Sequence, residues 1–189
     1  SSVGYGSDAL GGVVHYYTKT PKINNAKKFT NFFSSTFNSS RQSVVHHFNS
    51  EASFNKSAIL TSFTFSKFGN ILMGKNRQHG FQNWGLVNEY SSNSNSLYFE
   101  SPSKNNNPNI QKNSEYSQID ILQKVVFTLP KEKQLLINLQ FSNSSNIPRF
   151  DKLNEMTRNK LRFAEWNYGP QKRLLISPQL KIFPKKKYL

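Results

Sequence analysis

Six stretches of this chain alternate apolar and polar residues with period two, the signature of strands with one apolar face. Residues 27–38 place Phe29, Phe33 and Phe37 on one side and Lys28, Thr30, Ser34 and Thr36 on the other. Residues 44–54 set Val44, Phe48, Ala52 and Phe54 against Val45, His47, Asn49, Glu51 and Ser53. In 57–68, Ile59, Phe63 and Phe65 oppose Ser62, Thr64 and Ser66. In 118–129, Ile119, Ile121, Val125, Phe127 and Leu129 oppose Asp120, Lys124 and Thr128. The cleanest case is 134–142, where Leu135, Ile137, Leu139 and Phe141 alternate with Gln134, Asn138, Gln140 and Ser142. The last, 173–183, sets Leu174, Ile176, Leu180 and Ile182 against Arg173, Ser177, Gln179 and Lys181. The pattern predicts an all-β chain whose strands pair as a sequential antiparallel meander.

The connections predicted between these strands are 39–43, 55–56, 69–117, 130–133 and 143–172. In a meander the first, third and fifth emerge at one end of the sheet and the second and fourth at the other. Both long connections therefore share an end, and both turns at the opposite end are short. Transmembrane barrels of bacterial outer membranes have this asymmetry, with short periplasmic turns and longer external loops. A soluble β-sandwich shows the same period-two pattern, but a loop of about fifty residues is uncommon in a compact soluble domain. Residues 91–117 are rich in Ser, Asn and Pro and offer little to bury, so they are expected to be the least ordered part.

Ahead of the first strand stands Tyr5-Gly6-Ser7-Asp8-Ala9-Leu10-Gly11-Gly12-Val13-Val14, running on to Thr18-Lys19-Thr20-Pro21. Ser7 and Asp8 can cap a short helical turn, Gly11 and Gly12 break it, and Val13, Val14, Tyr16 and Tyr17 favour an extended chain. This run resembles the closing segment of the plug domain of TonB-dependent outer-membrane receptors. Further on, Asp120-Ile121-Leu122-Gln123-Lys124, Ile147-Pro148-Arg149-Phe150-Asp151-Lys152-Leu153 and Arg162-Phe163-Ala164-Glu165-Trp166-Asn167-Tyr168-Gly169-Pro170-Gln171-Lys172-Arg173 look like the early barrel of such receptors from Bacteroidetes-type bacteria.

The resemblance implies a division into 1–22, the C-terminal end of a plug, and 23–189, the N-terminal part of a barrel. With about six strands where large outer-membrane transporters have about 22, the barrel would be partial. Pro184 and the Lys185-Lys186-Lys187 run then read as the mark of a truncated or frameshifted product. Tyr5, Gly6, Ser7, Asp8, Gly11 and Gly12 would be the plug-motif positions. The implied activity is energised uptake of a scarce solute such as a siderophore, haem, cobalamin or glycan. The implied partners are outer-membrane lipid, that cargo, and the TonB complex, whose docking box is not in this sequence. A chain lacking most of the plug is expected not to transport alone.

Composition narrows the alternatives. The chain has no Cys, so thiolate metal sites and disulfides are excluded. No apolar run reaches the about 18 residues of a membrane-spanning helix. The net charge of +15 invites a nucleic-acid reading, but Lys and Arg are scattered rather than striped. The competing reading from another class is a soluble secreted β-rich module that binds an anionic polymer.

No catalytic constellation, phosphate loop or carboxylate pair stands out, so the chain is not expected to be an enzyme or to hold a cofactor. His46 and His47 are adjacent on a strand and must point to opposite faces, which prevents joint metal chelation. The best candidate for cargo contact is the fifth connection. Arg149, Asp151, Arg162, Glu165, Trp166 and Tyr168, with Arg158 nearby, combine charge with aromatic surface. The same residues could instead simply order a long loop by turns and ion pairs. Trp84, Tyr90 and Tyr98 suit an aromatic girdle at a membrane surface.

Overall fold

The computed structural model describes residues 14–92, 101–163 and 165–183. The plug-motif positions Tyr5, Gly6, Ser7, Asp8, Gly11 and Gly12 lie outside the described residues, as do Tyr98 and the C-terminal lysine run. The fold is all-β. One antiparallel sheet contains six long strands in sequential order: Lys28–Asn38, Ser43–Ser53, Ser57–Phe68, Tyr116–Leu129, Lys133–Ser144 and Lys172–Ile182. The sheet is open, with the first and sixth strands at its edges. The expected strand bounds hold to within two residues at each end, and both long connections emerge at one end of the sheet.

The register fixes the faces, because cross-strand partners point the same way. One row runs Phe33–Phe48–Phe63–Ile121–Phe141–Leu174 through all six strands. The next row but one on that face runs Phe29–Ala52–Ile59–Val125–Ile137–Pro178, and the row between them, Asn31–Ser50–Thr61–Gln123–Leu139–Ile176, is polar on its first four strands. The opposite face carries Ser34–His47–Thr64–Asp120–Ser142–Arg173 and Thr30–Glu51–Leu60–Lys124–Asn138–Ser177. The first face therefore carries two apolar rows with a mixed row between them, while Glu51, Asp120, Lys124 and Arg173 all lie on the second, more polar face.

Burial runs against the usual order for a soluble sheet. On the apolar face Phe33 is 65% exposed, Leu174 69% and Ile176 61%. The buried residues sit on the polar face, where Ala58, Leu60, Lys124, Val126 and Leu136 are all covered. The segment ahead of the first strand reaches this face. Thr18 carbonyl accepts from Lys124 Nζ at 2.9 Å, and Lys22 carbonyl accepts from Ser53 Oγ at 2.9 Å. Lys22 N–H donates to Glu51 Oε1 at 3.3 Å, Lys19 pairs with the same carboxylate, and Pro21 is buried. Residues 18–22 thus form a strap tied to the second and fourth strands.

The third connection is more built than its composition suggested. Ile71–Leu72 pairs with Ile110–Gln111, and Glu89–Tyr90 pairs with Ser103–Lys104. Buried polar side chains take the place of an apolar core. Asn105 Nδ2 donates to the carbonyls of Val87 at 2.7 Å and Ile110 at 3.0 Å. Ser114 Oγ donates to the Gln111 carbonyl at 2.6 Å. Within 91–117, the stretch expected to be least ordered, residues 101–117 thus carry amide and hydroxyl contacts that a hydrophobicity count overlooks; residues 93–100 lie outside the described set.

Candidate functional site

The fifth connection begins with Ile147–Pro148, which pairs with Asn167–Tyr168. This short ladder draws the two ends of the loop together. Arg149 N–H donates to the Trp166 carbonyl at 2.9 Å, extending the closure by one residue. A single helical turn, Phe150–Leu153, follows, and then a hairpin of Met156–Thr157 with Lys160–Leu161. Arg158 and Asn159 have φ of 51° and 60° at its tip, the two positive values that a two-residue hairpin turn requires. Leu153 and Leu161 are buried beneath these elements.

Closure brings four of the six candidate residues into one cluster. The Arg149 guanidinium lies 5.2 Å from the Trp166 ring centroid and 5.8 Å from that of Tyr168. Its Nε also contacts Asp151 Oδ1 at 3.1 Å. The hydrogen bond to Asp151 raises the Arg149 pKa above its already high value, with the Asp151 charge acting in the same direction. A guanidinium between two aromatic rings is held by their π faces. Tyr168 stays half exposed and Trp166 is partly covered.

The other two candidates are engaged elsewhere. Arg162 pairs with Glu155 and stacks 5.1 Å from the Phe163 ring. It touches the cluster only indirectly, through Phe163, which meets Trp166 edge to face at 4.7 Å. Glu165 accepts from Asn167 Nδ2 at 2.6 Å. Glu155, absent from the sequence candidates, is the hub of its own ion cluster. Lys152 at 2.9 Å and Arg162 both donate to it and hold its carboxyl below the ordinary value of 4.5. The spacing of Lys152 and Glu155, three apart at the end of a helical turn, could have signalled that pair.

Sequence reasoning also missed the junction between the first and third connections. Arg41 lies over both Phe68 and Tyr116, at 4.8 and 5.4 Å from the ring centroids, and those two rings are themselves 4.7 Å apart. Phe68 and Tyr116 are cross-strand partners at the base of the third connection, so the cation caps the point where the loop leaves the sheet. The two adjacent histidines divide between the faces as expected. His46 stacks on Phe33 at 6.3 Å, and His47 Nδ1 shares a hydrogen bond with Thr64 Oγ1 at 2.8 Å.

No known protein family, curated protein or solved structure matches this chain.

Proposed function

We propose that this chain forms the plug-to-barrel junction and the first strands of a TonB-dependent outer-membrane receptor for uptake of a scarce solute. The observation that carries the reading is the inverted sheet. Its apolar row, from Phe33 across to Leu174, is left exposed, while the opposite face holds the buried Lys124 and the strap 18–22. A membrane barrel turns apolar side chains to hydrocarbon and polar ones to its lumen. In a soluble sandwich the Phe-rich face would require a second layer, and among the described residues that face stays uncovered.

The strap supports the same reading. In this receptor architecture the chain leaves the plug inside the lumen, so the segment before the first strand would lie on the polar face. Both long connections share one end of the sheet, which becomes the exterior. The Arg149–Trp166–Tyr168 cluster then belongs to an external loop, where it would contact cargo, and the chain has a transport role rather than an enzymatic one.

The deciding experiment is refolding of the purified chain with and without lipid vesicles, followed by protease treatment and mass mapping. Protection of the six long strands only when lipid is present, with cleavage confined to the third and fifth connections, is expected. A monodisperse, protease-resistant protein in plain buffer would overturn the membrane assignment and favour the soluble polymer-binding module.

A further inference from the structure

Residues 73–84 of the third connection enclose a pocket of about 480 Å³, lined by Met73, Gly74, Asn76, Arg77, Gln78, Phe81 and Trp84. Two consecutive turns build its wall. Phe81 N–H donates to the Gln78 carbonyl and Trp84 N–H to the Phe81 carbonyl, each at 3.0 Å. The turns carry Gln78, Phe81 and Trp84 past one another at intervals of three residues. Phe81 is 60% exposed and Trp84 67%, so both rings present open faces.

The pocket is braced from below. Arg77 Nε donates to the Trp84 carbonyl at 2.9 Å, and its Nη2 donates to Asn109 Oδ1 at 2.7 Å. Met73 N–H bonds the Asn109 carbonyl at 2.9 Å, and Gln111 Nε2 reaches both the Met73 sulfur at 2.9 Å and the Gly85 carbonyl at 2.7 Å. Gly85 has φ of 70°, a left-handed conformation that favours glycine, and it packs against the end of the Met73 side chain. A site preformed in this way spends little free energy on ordering when a ligand arrives.

Its chemistry is one-sided. The lining contains two open aromatic faces, two amides and one guanidinium, and no carboxylate. A guanidinium has five N–H donors, so the two bonds above leave Arg77 with donors to spare. Lys75 and His79 flank it in sequence. We infer that this pocket binds a small ring-bearing carboxylate, the ring against Phe81 and Trp84 and the carboxylate on Arg77. Planar carboxylates match the guanidinium fork, and the rings supply the apolar surface that a bare anion would not use. The inference does not depend on the membrane assignment, because the pocket lies within one connection.

The test uses the two indole N–H resonances of the whole chain, Trp84 in the pocket and Trp166 as an internal reference, in lipid nanodiscs or in buffer, whichever keeps the chain folded. Benzoate should shift Trp84 saturably and leave Trp166 in place. Benzyl alcohol, acetate and methyl glucoside should each bind at least about tenfold more weakly, the loss expected when a charge-assisted hydrogen bond or the ring contact is missing. Arg77→Met should abolish the preference for benzoate over benzyl alcohol. If that variant disturbs the free Trp84 resonance, Phe81→Ala replaces it and should weaken benzoate while sparing acetate. Equal response to benzoate and benzyl alcohol, equal shifts at both indoles, tighter binding of the glucoside, or no shift at all would each overturn the inference.

Discussion

Lys124 Nζ donates to the carbonyl of Thr18 at 2.9 Å, joining two residues 106 positions apart. Lys124 is only 5% exposed and occupies the polar face beside Leu60 and Asn138. A buried ammonium is costly unless its donors are used. Lys124 uses one of its donors to fasten the strap, and the strap in turn covers polar surface that the sheet alone would leave open. Glu51, on the same row across the sheet, takes Lys19 and the Lys22 amide.

Lys124→Met should therefore free the strap without unfolding the sheet. Replacing a buried charge by an apolar side chain of similar length is often neutral for the fold. The lost charge-assisted bond is worth about 1.5–3 kcal/mol to the segment it holds, so exchange of the Lys22 amide should quicken at least tenfold. Hydrogen exchange by NMR reads this directly. An unchanged Lys22 amide, or loss of the whole sheet, would contradict the strap's dependence on Lys124.

Leu139 and Asn138 are neighbours on opposite faces, Leu139 opposite Gln123 and Ile176, Asn138 opposite Lys124 and Ser177. In a lipid-embedded parent receptor, Leu139→Arg should cost about 2–4 kcal/mol if the site lies near the midplane. Asn138→Glu should cost far less, since it gains Lys124 as a cross-strand partner. Denaturant titration in vesicles compares the two. Equal penalties would mean that the faces have been assigned the wrong way round.

The first and sixth strands, Lys28–Asn38 and Lys172–Ile182, each leave one edge unpaired in this sheet. Bare edges next to an exposed apolar face recruit other chains. In water the chain should form heterogeneous oligomers, and an amphiphile should disperse them. Light scattering after size-exclusion chromatography decides the matter, and a single monomeric peak in dilute buffer would refute the expectation.

Asn105→Ala should loosen the third connection selectively. The Asn105 side chain is 4% exposed and serves the Val87 and Ile110 carbonyls. Leaving those acceptors unpaired costs about 1–3 kcal/mol. Protease cleavage within the connection should accelerate while the six long strands stay protected. Unchanged cleavage would show that the carbonyls find other donors.

Acid should open the Glu155 cluster before the sheet. The folded carboxyl titrates below its ordinary 4.5, chiefly because of the hydrogen bond from Lys152 and next that from Arg162. A group with a lowered folded pKa contributes stability above its unfolded value and loses it as the pH falls through the folded one. The Trp166 indole resonance, reached through Arg162 and Phe163, should move below about pH 4.5, and Glu155→Gln should remove that step. A step that survives the substitution would belong to another group.

The six strands, their order and the side chains that share a face were legible along the chain. Period-two alternation is a local property of the backbone, so Leu135, Ile137, Leu139 and Phe141 declare their common side without knowledge of any neighbour. The division of His46 and His47 follows from the same rule. Which face is covered, and by what, depends on contacts between segments far apart in the chain. The Thr18–Lys124 bond, the Arg41 cap over Phe68 and Tyr116, and the gathering of Arg149, Trp166 and Tyr168 link residues brought together by chain reversals. The order within residues 101–117 was illegible for a related reason. It rests on amide and hydroxyl groups of Asn105, Gln111 and Ser114 meeting particular carbonyls and amides, and that depends on geometry that composition does not record.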